Sequence, residues 1–174
     1  GGARVTGRGL AGMLVVGIDP GTATTGFGLV RDTENGLEMV DYGVITTPSG
    51  ERPEQRLLHL AINLNQLIMR HNPESGAVEK LFFQRNVTTA MSVGQARGVA
   101  LLVLAKNSIP VSEYTPMEVK QAVTGYGAAD KRQIQQMVKA LLGMDDIPRP
   151  DDAADALAVA ICHLHSARLR SLTK

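Results

Sequence analysis

An apolar run over residues 13–18 ends at Asp19, and the Pro20 and Gly21 that follow cannot prolong regular strand pairing. The pattern predicts a buried strand with a carboxylate at its end. Thr24 and Thr25 then lead through Gly26 into a second apolar stretch, residues 27–31, so GIDPGTATTGFGLV reads as a hairpin with one acid at its open end. One carboxylate can hold a cation or make local turn hydrogen bonds, and it does not define a site by itself. The remainder of the chain has to supply its partners.

Residues 38–46 predict a third strand, completing a meander, and residues 54–71 carry Leu57, Leu60, Ala61, Leu64, Leu67 and Ile68 at helical spacing. That helix stops before Asn72 and Pro73. Residues 76–83 (GAVEKLFF) predict a fourth strand, reached through a helical crossover and so parallel to its neighbour, with Glu79 on it. Residues 86–107 predict a helix whose second half, GVALLVLA over 98–105, is apolar nearly all round. Such a helix must be covered on two sides, by the sheet and by either another helix or a second subunit. A fifth strand over 110–114, a short helix over 116–124, a glycine loop over 125–128, a helix over 130–142 capped by Asp130, and a last helix beginning at Asp151 or Asp152 complete the chain. The order describes an α/β fold: a five-stranded mixed sheet, three strands in an antiparallel meander and two parallel, flanked by helices.

With 174 residues and 44% hydrophobic content, one domain over 13–166 accommodates the whole core. The Gly-rich residues 1–12 are set aside as a disordered extension or expression remnant, and residues 167–174 as a basic tail. The 18 basic and 17 acidic residues leave a net charge of +1, which neither requires nor excludes a polyanionic partner. A single cysteine, Cys162, excludes an intrachain disulfide and a Cys-rich zinc site, and its expected role is helix packing. With no secretory pattern and no apolar run near the ~20 residues of a membrane span, a soluble cytoplasmic protein is expected.

Asp152 and Asp155, three residues apart, share a helix face. A helix start alone accounts for such acids, one as the N-cap and one favoured by the helix dipole. Glu79 is harder to dismiss, because an unpaired acid inside an apolar strand is costly to bury unless it lies at an exposed strand end. If the first and fourth strands are parallel neighbours, Asp19 and Glu79 lie at one level, and a helix packed on the sheet brings Asp152 and Asp155 over them. Charges ~4 Å apart repel by ~4 kcal/mol at an effective dielectric near 20, so four such carboxylates call for cations, protons or both. Hard oxygen donors select Mg²⁺ or Mn²⁺, and two ions per site suit in-line displacement at a phosphodiester.

GIDPGTATTGFG, VEKLFF, GQARGVA, VKQAVTGYG with Lys131 after it, and DDAADALAVAICHLH, in this order over residues 13–165, resemble the RuvC family of Holliday-junction resolvases. The resemblance implies an RNase H-like fold, a homodimer, and symmetric paired nicks in a four-way DNA junction that leave 5′-phosphate and 3′-hydroxyl ends. It implies that Asp19, Glu79, Asp152 and Asp155 are the catalytic and metal-binding acids, although some members carry His at the third of these positions. By the same resemblance Phe82 is the aromatic that stacks on a base at the opened junction centre, with Phe83 beside it sharing the role or packing in the core. Lys120 and Lys131 match residues that approach the DNA backbone, and Arg85 and Arg132 are further DNA-binding candidates. The branch-migration proteins RuvA and RuvB are implied as partners. The other cations, among them Arg97, Lys106, Arg168, Arg170 and Lys174, are expected on solvated surface, as are His163 and His165 near the end of the last helix.

GIDPGTATTGFG also resembles the first phosphate loop of the actin, Hsp70 and sugar-kinase group, which shares the RNase H-like core. That group encloses ATP between two such lobes, whereas 174 residues supply one. A junction-binding scaffold without activity is disfavoured because all four acids are present.

Overall fold

The structure, a computed structural model, describes residues 12–80 and 87–173. Among these residues β1 (Leu14–Asp19), β2 (Thr24–Thr33) and β3 (Gly36–Thr46) form an antiparallel meander. β4 (Ser75–Glu79) and β5 (Val111–Tyr114) extend it in the order β3-β2-β1-β4-β5 through parallel pairings. Helices α1 (Pro53–His71) and α2 (Val87–Lys106) cover one face, and α3 (Pro116–Thr124), α4 (Lys131–Leu141) and α5 (Asp151–Leu172) cover the other. The expected five-stranded mixed sheet is the observed one.

Strand periodicity decides which way the site faces. Leu14, Val16 and Ile18 enter the core shared with α1 and α2, whereas Val15 enters the core shared with α5. Successive side chains on a strand point to opposite faces, so Gly17 and Asp19 follow Val15 onto the α5 side. On β4, Val78 belongs to the first core and Ala77 to the second, so Glu79 also faces α5.

α5 is buried nearly all round: Ala153, Ala154 and every residue from Ala156 to Leu164 are buried. Leu157, Ile161 and Leu164 are fully covered, each contributing about 1.5–3 kcal/mol of apolar transfer before conformational entropy is subtracted. The second half of α2, expected to be covered by the sheet on one side and by a helix or a second subunit on the other, is covered on one side within the single chain. That helix buries Ala96, Arg97, Ala100, Val103 and Leu104 against the sheet and α1, and exposes Val87, Met91 and Leu102. α2 also corrects the expectation that no segment approaches the length and apolarity of a membrane span, because it meets both. Its contacts are those of a core helix: Ala96, Ala100 and Leu104 are buried, and the Arg97 side chain bonds to β4 and β5.

The residues set apart as a tail continue α5 to Leu172. Arg168 donates to the carboxylate of Asp32, from Nε at 3.0 Å, and Asp32 is only 2% exposed, so this cation neutralises a buried acid. His163, expected on the surface, is buried, with Nε2 2.8 Å from Ser75 Oγ and Nδ1 2.6 Å from Tyr114 Oη. Tyr114 donating to Nδ1, Nε2–H donating to Ser75 and Ser75 donating to the Pro110 carbonyl satisfies every group with a neutral imidazole. Burial pushes that imidazole down to about 4. Cys162 packs as expected, buried with its Sγ 3.7 Å from the Glu118 carbonyl, and burial pushes its thiol up to about 11.

Candidate active site

The register of β1 and β4 pairs Ile18 with Val78, so the next residue on each strand is Asp19 and Glu79. Adjacent strands lie ~4.8 Å apart, which sets the two acids side by side at the carboxyl ends of parallel strands. On the other side of β1, Asp19 pairs with Gly26 of β2. The turn between them is pinned, with Thr25 Oγ1 donating to the Gly21 carbonyl at 2.6 Å and Thr22 Oγ1 donating to the Ser92 carbonyl of α2 at 2.9 Å.

Glycines let α5 deliver the other two acids. A methyl group at Gly26 would lie 2.0 Å from the carbonyl oxygen of Asp152, and one at Gly17 would lie 2.0 Å from that of Ala156. One at Gly28 would run into Leu157. Gly17 and Gly28 are register partners, so the helix backbone rests directly on a side-chain-free strip across β1 and β2. That close approach seats the first two turns of α5, with Asp152 and Asp155, over Asp19.

The charges register the crowding. Asp19 is pushed up to about 8, first by burial and then by Asp155, Asp152 and Glu79, and its carboxyl hydrogen-bonds to that of Asp152. Asp155 and Glu79 are raised as well, each chiefly by burial, and Asp155 repels Glu79. A carboxyl donates such a hydrogen bond only while it holds a proton, which is consistent with the raised pKa of Asp19. Among the described residues no three His, Cys, Asp or Glu side chains stand at metal-ligating spacing. The donor set itself fits Mg²⁺ or Mn²⁺: it is all oxygen, and its surplus negative charge is what a divalent ion would relieve.

Two expected cations reach these acids. Lys120 lies close enough to lower the pKa of Glu79, and Lys131 does the same for Asp155. Lys131 also pairs with Asp151 at 2.8 Å, while Gln135 donates to the same carboxylate at 3.0 Å, tying the start of α4 to the start of α5. Arg132 lines a different cleft with Tyr126. Phe82, Phe83 and Arg85 lie outside the described residues.

Arg97 had been assigned to surface, yet it is buried and donates from Nη1 to the main-chain carbonyl of Glu79 at 2.6 Å and from Nη2 to Glu113 on β5. It clamps the strand end that carries the catalytic candidate. An arginine between Ala96 and Val99 in an apolar helix was the available signal, since a charge is buried only when paired.

The chain resembles known proteins over nearly its whole length. The family model described as crossover junction endodeoxyribonuclease RuvC matches residues 15–163. The crossover junction endodeoxyribonuclease RuvC of Chloroflexus aurantiacus is 58% identical over 155 residues, covering 89% of this chain and 94% of that one. Among solved structures, Thermus thermophilus RuvC superposes with a TM-score of 0.85 at 36% identity, over 91% of this chain and 97% of that one. The same protein in complex with Holliday junction substrate gives 0.82 at 35% identity, over 90% and 96%.

Proposed function

The chain belongs to the RuvC family of crossover junction endodeoxyribonucleases, and from that membership we propose that it resolves four-way DNA junctions by metal-assisted hydrolysis at Asp19, Glu79, Asp152 and Asp155. The observation that carries the assignment of the site is the convergence of these acids from β1, β4 and α5, felt most strongly at Asp19. The ATP-binding alternative is not favoured, because the RuvC family model matches residues 15–163 and the RuvC of Chloroflexus aurantiacus is 58% identical over 155 residues.

Two divalent ions, Mg²⁺ or Mn²⁺, would be held by the four carboxylates, and when bound they supply a polarised phosphate, an activated water and charge neutralisation at the leaving oxygen. The chain's own contribution is placement. Asp19 and Glu79 are fixed by strand register, and Arg97 holds the backbone of Glu79. Asp152 and Asp155 are fixed by a helix seated on glycines. Lys120 and Lys131 offset surplus negative charge and lie where backbone phosphates would approach. Phe82, with Phe83, and Arg85 retain the DNA-binding roles that the resemblance implies. Glu79→Gln and Asp155→Asn are expected to lower Mg²⁺-dependent nicking of an end-labelled four-way junction by at least about 10³-fold, with binding retained in a gel-shift assay. Undiminished nicking by either variant would remove these acids from the mechanism.

A homodimer follows from the same reading, because two equivalent sites on a two-fold axis match two equivalent strands. Met91 and Leu102 on α2 are 62% and 60% exposed and supply apolar surface for such an interface. Sedimentation should give a dimer at micromolar concentration, and Leu102→Glu should shift it towards monomer and convert paired nicks into single ones. A wild-type monomer under those conditions would count against the arrangement. RuvA and RuvB as partners and a cytoplasmic location belong to the same family-based reading.

A further inference from the structure

Tyr126 is the only aromatic among the exposed large side chains of the described residues, at 59% exposure. It sits on the turn between α3 and α4, whose backbone is unusually well tied. Thr124 Oγ1 accepts from the Tyr126 amide at 3.1 Å, and its single hydroxyl proton faces the Lys120 carbonyl at 2.7 Å and the Tyr126 carbonyl at 3.0 Å. The Tyr126 carbonyl also accepts from the Ala129 amide, and Gln121 Nε2 donates to the Gly125 carbonyl at 3.2 Å. A stiff turn thus presents an aromatic ring to solvent, which costs little entropy on binding but leaves apolar surface wet until something covers it.

The ring borders an open cleft of about 410 Å³, lined also by Asp130, Arg132, Gln136 and Met137. Its contents favour one kind of occupant. Tyr126 offers a flat ring and Met137 further apolar surface, Gln136 an amide, and Arg132 a cation. The carboxylate of Asp130 caps α4, with Oδ1 accepting from the Gln133 amide at 2.8 Å, and its negative charge opposes a phosphate inside the cleft. A base inside with its phosphate outside satisfies both conditions. α4 links the cleft to the start of α5: Arg132 lines the cleft, and its sequence neighbour Lys131 pairs with Asp151 at 2.8 Å.

We propose that this cleft is a second DNA subsite, in which Tyr126 stacks on the base of an unstacked nucleotide and Arg132 meets the adjoining phosphate. Such a nucleotide is available at a branch point and scarce in a continuous duplex, so the subsite would favour the junction over its arms. The inference rests on the junction-cleaving reading above.

The chain has no tryptophan, so Tyr126→Trp introduces a single reporter. In an Asp19→Asn background, which leaves the DNA uncut, its fluorescence should be quenched by a four-way junction and much less by a continuous duplex of the same arm sequence. In the otherwise native chain Tyr126→Ala should raise KM for junction cleavage about tenfold with kcat little changed, and Tyr126→Phe should restore it, as expected for stacking. Because tyrosine is neutral, the salt dependence of binding should be unaltered by Tyr126→Ala but reduced by about one ion in Arg132→Ala. Unquenched tryptophan, equal quenching by duplex, or an unchanged KM each overturns the subsite. If wild-type protein cuts no junction, the parent reading fails; if it cuts normally and only these variants are silent, the subsite alone fails.

Discussion

Asp19→Asn is expected to lose catalysis and gain stability in the same protein. Asp19 titrates at about 8 in the folded chain, against 3.8 as its ordinary value, because burial and the neighbouring carboxyls disfavour its ionised form. The folded protein therefore keeps a proton that the unfolded chain has released across that interval. Stability contributed by the protonated group is fully present below about pH 3.8 and is lost as pH rises towards 8. Once shared protons and partial exposure are allowed for, the loss is about 2 kcal/mol by pH 8. An asparagine carries no such charge. In EDTA at pH 8 the variant should melt about 4–8 °C above the wild type, with the difference shrinking towards pH 4. Mg²⁺ should raise the wild-type melting temperature and move that of the variant little, while junction cleavage by the variant falls by at least about 10³-fold. A variant that melts below the wild type in EDTA at pH 8 would show that crowded charge is not what strains this site.

Gly26→Ala is expected to inactivate the protein with all four acids in place. Its methyl group would sit 2.0 Å from the Asp152 carbonyl oxygen and 2.9 Å from the Ala153 nitrogen, both backbone atoms that cannot rotate aside. The first turn of α5 must lift. Overpacking of this kind costs about 1–3 kcal/mol, which a cooperative domain can survive. Catalysis is less forgiving, since ~1 Å of misplacement costs about 10²-fold. Cleavage should fall at least that far while circular dichroism shows a folded chain. Gly50→Ala, where the added methyl meets nothing within 4 Å, should leave cleavage unaltered. Normal cleavage by Gly26→Ala would mean that the close seating of α5 does not set the geometry of Asp152.

The sheet was legible because strand and helix periods differ and the turn residues between them are conspicuous. Asp19 and Glu79 were placed at one level by parallel neighbouring, and the register of Ile18 with Val78 agrees. Burial was harder to read. The helix enclosed within the chain is α5, punctuated by His163 and small alanines, whereas the apolar stretch of α2 buries one side and leaves Leu102 for a further cover. Alanine gives a weak hydropathy signal and a strong packing one, because it lets a helix approach a sheet closely. His163 and Arg97 were assigned to surface by the usual habits of their residue types. Each is buried because specific partners far away in sequence, Ser75 and Tyr114 for one and Glu79 and Glu113 for the other, satisfy its hydrogen bonds. Gly26 is read in the sequence only as part of a hairpin, and the seat that Gly17, Gly26 and Gly28 make for α5 emerges only when the late helix is laid on the early strands.

α5 also imposes an order of events on biosynthesis. Asp19 is translated before Asp152 and Asp155, which lie on the helix that closes the second core. A nascent chain that stops short of this helix lacks Asp152, Asp155 and the cover for Val15, Val30 and Ala77. Fragments left by interrupted translation or proteolysis before α5 therefore carry Asp19 and Glu79 without the two acids of α5 that the proposed site requires.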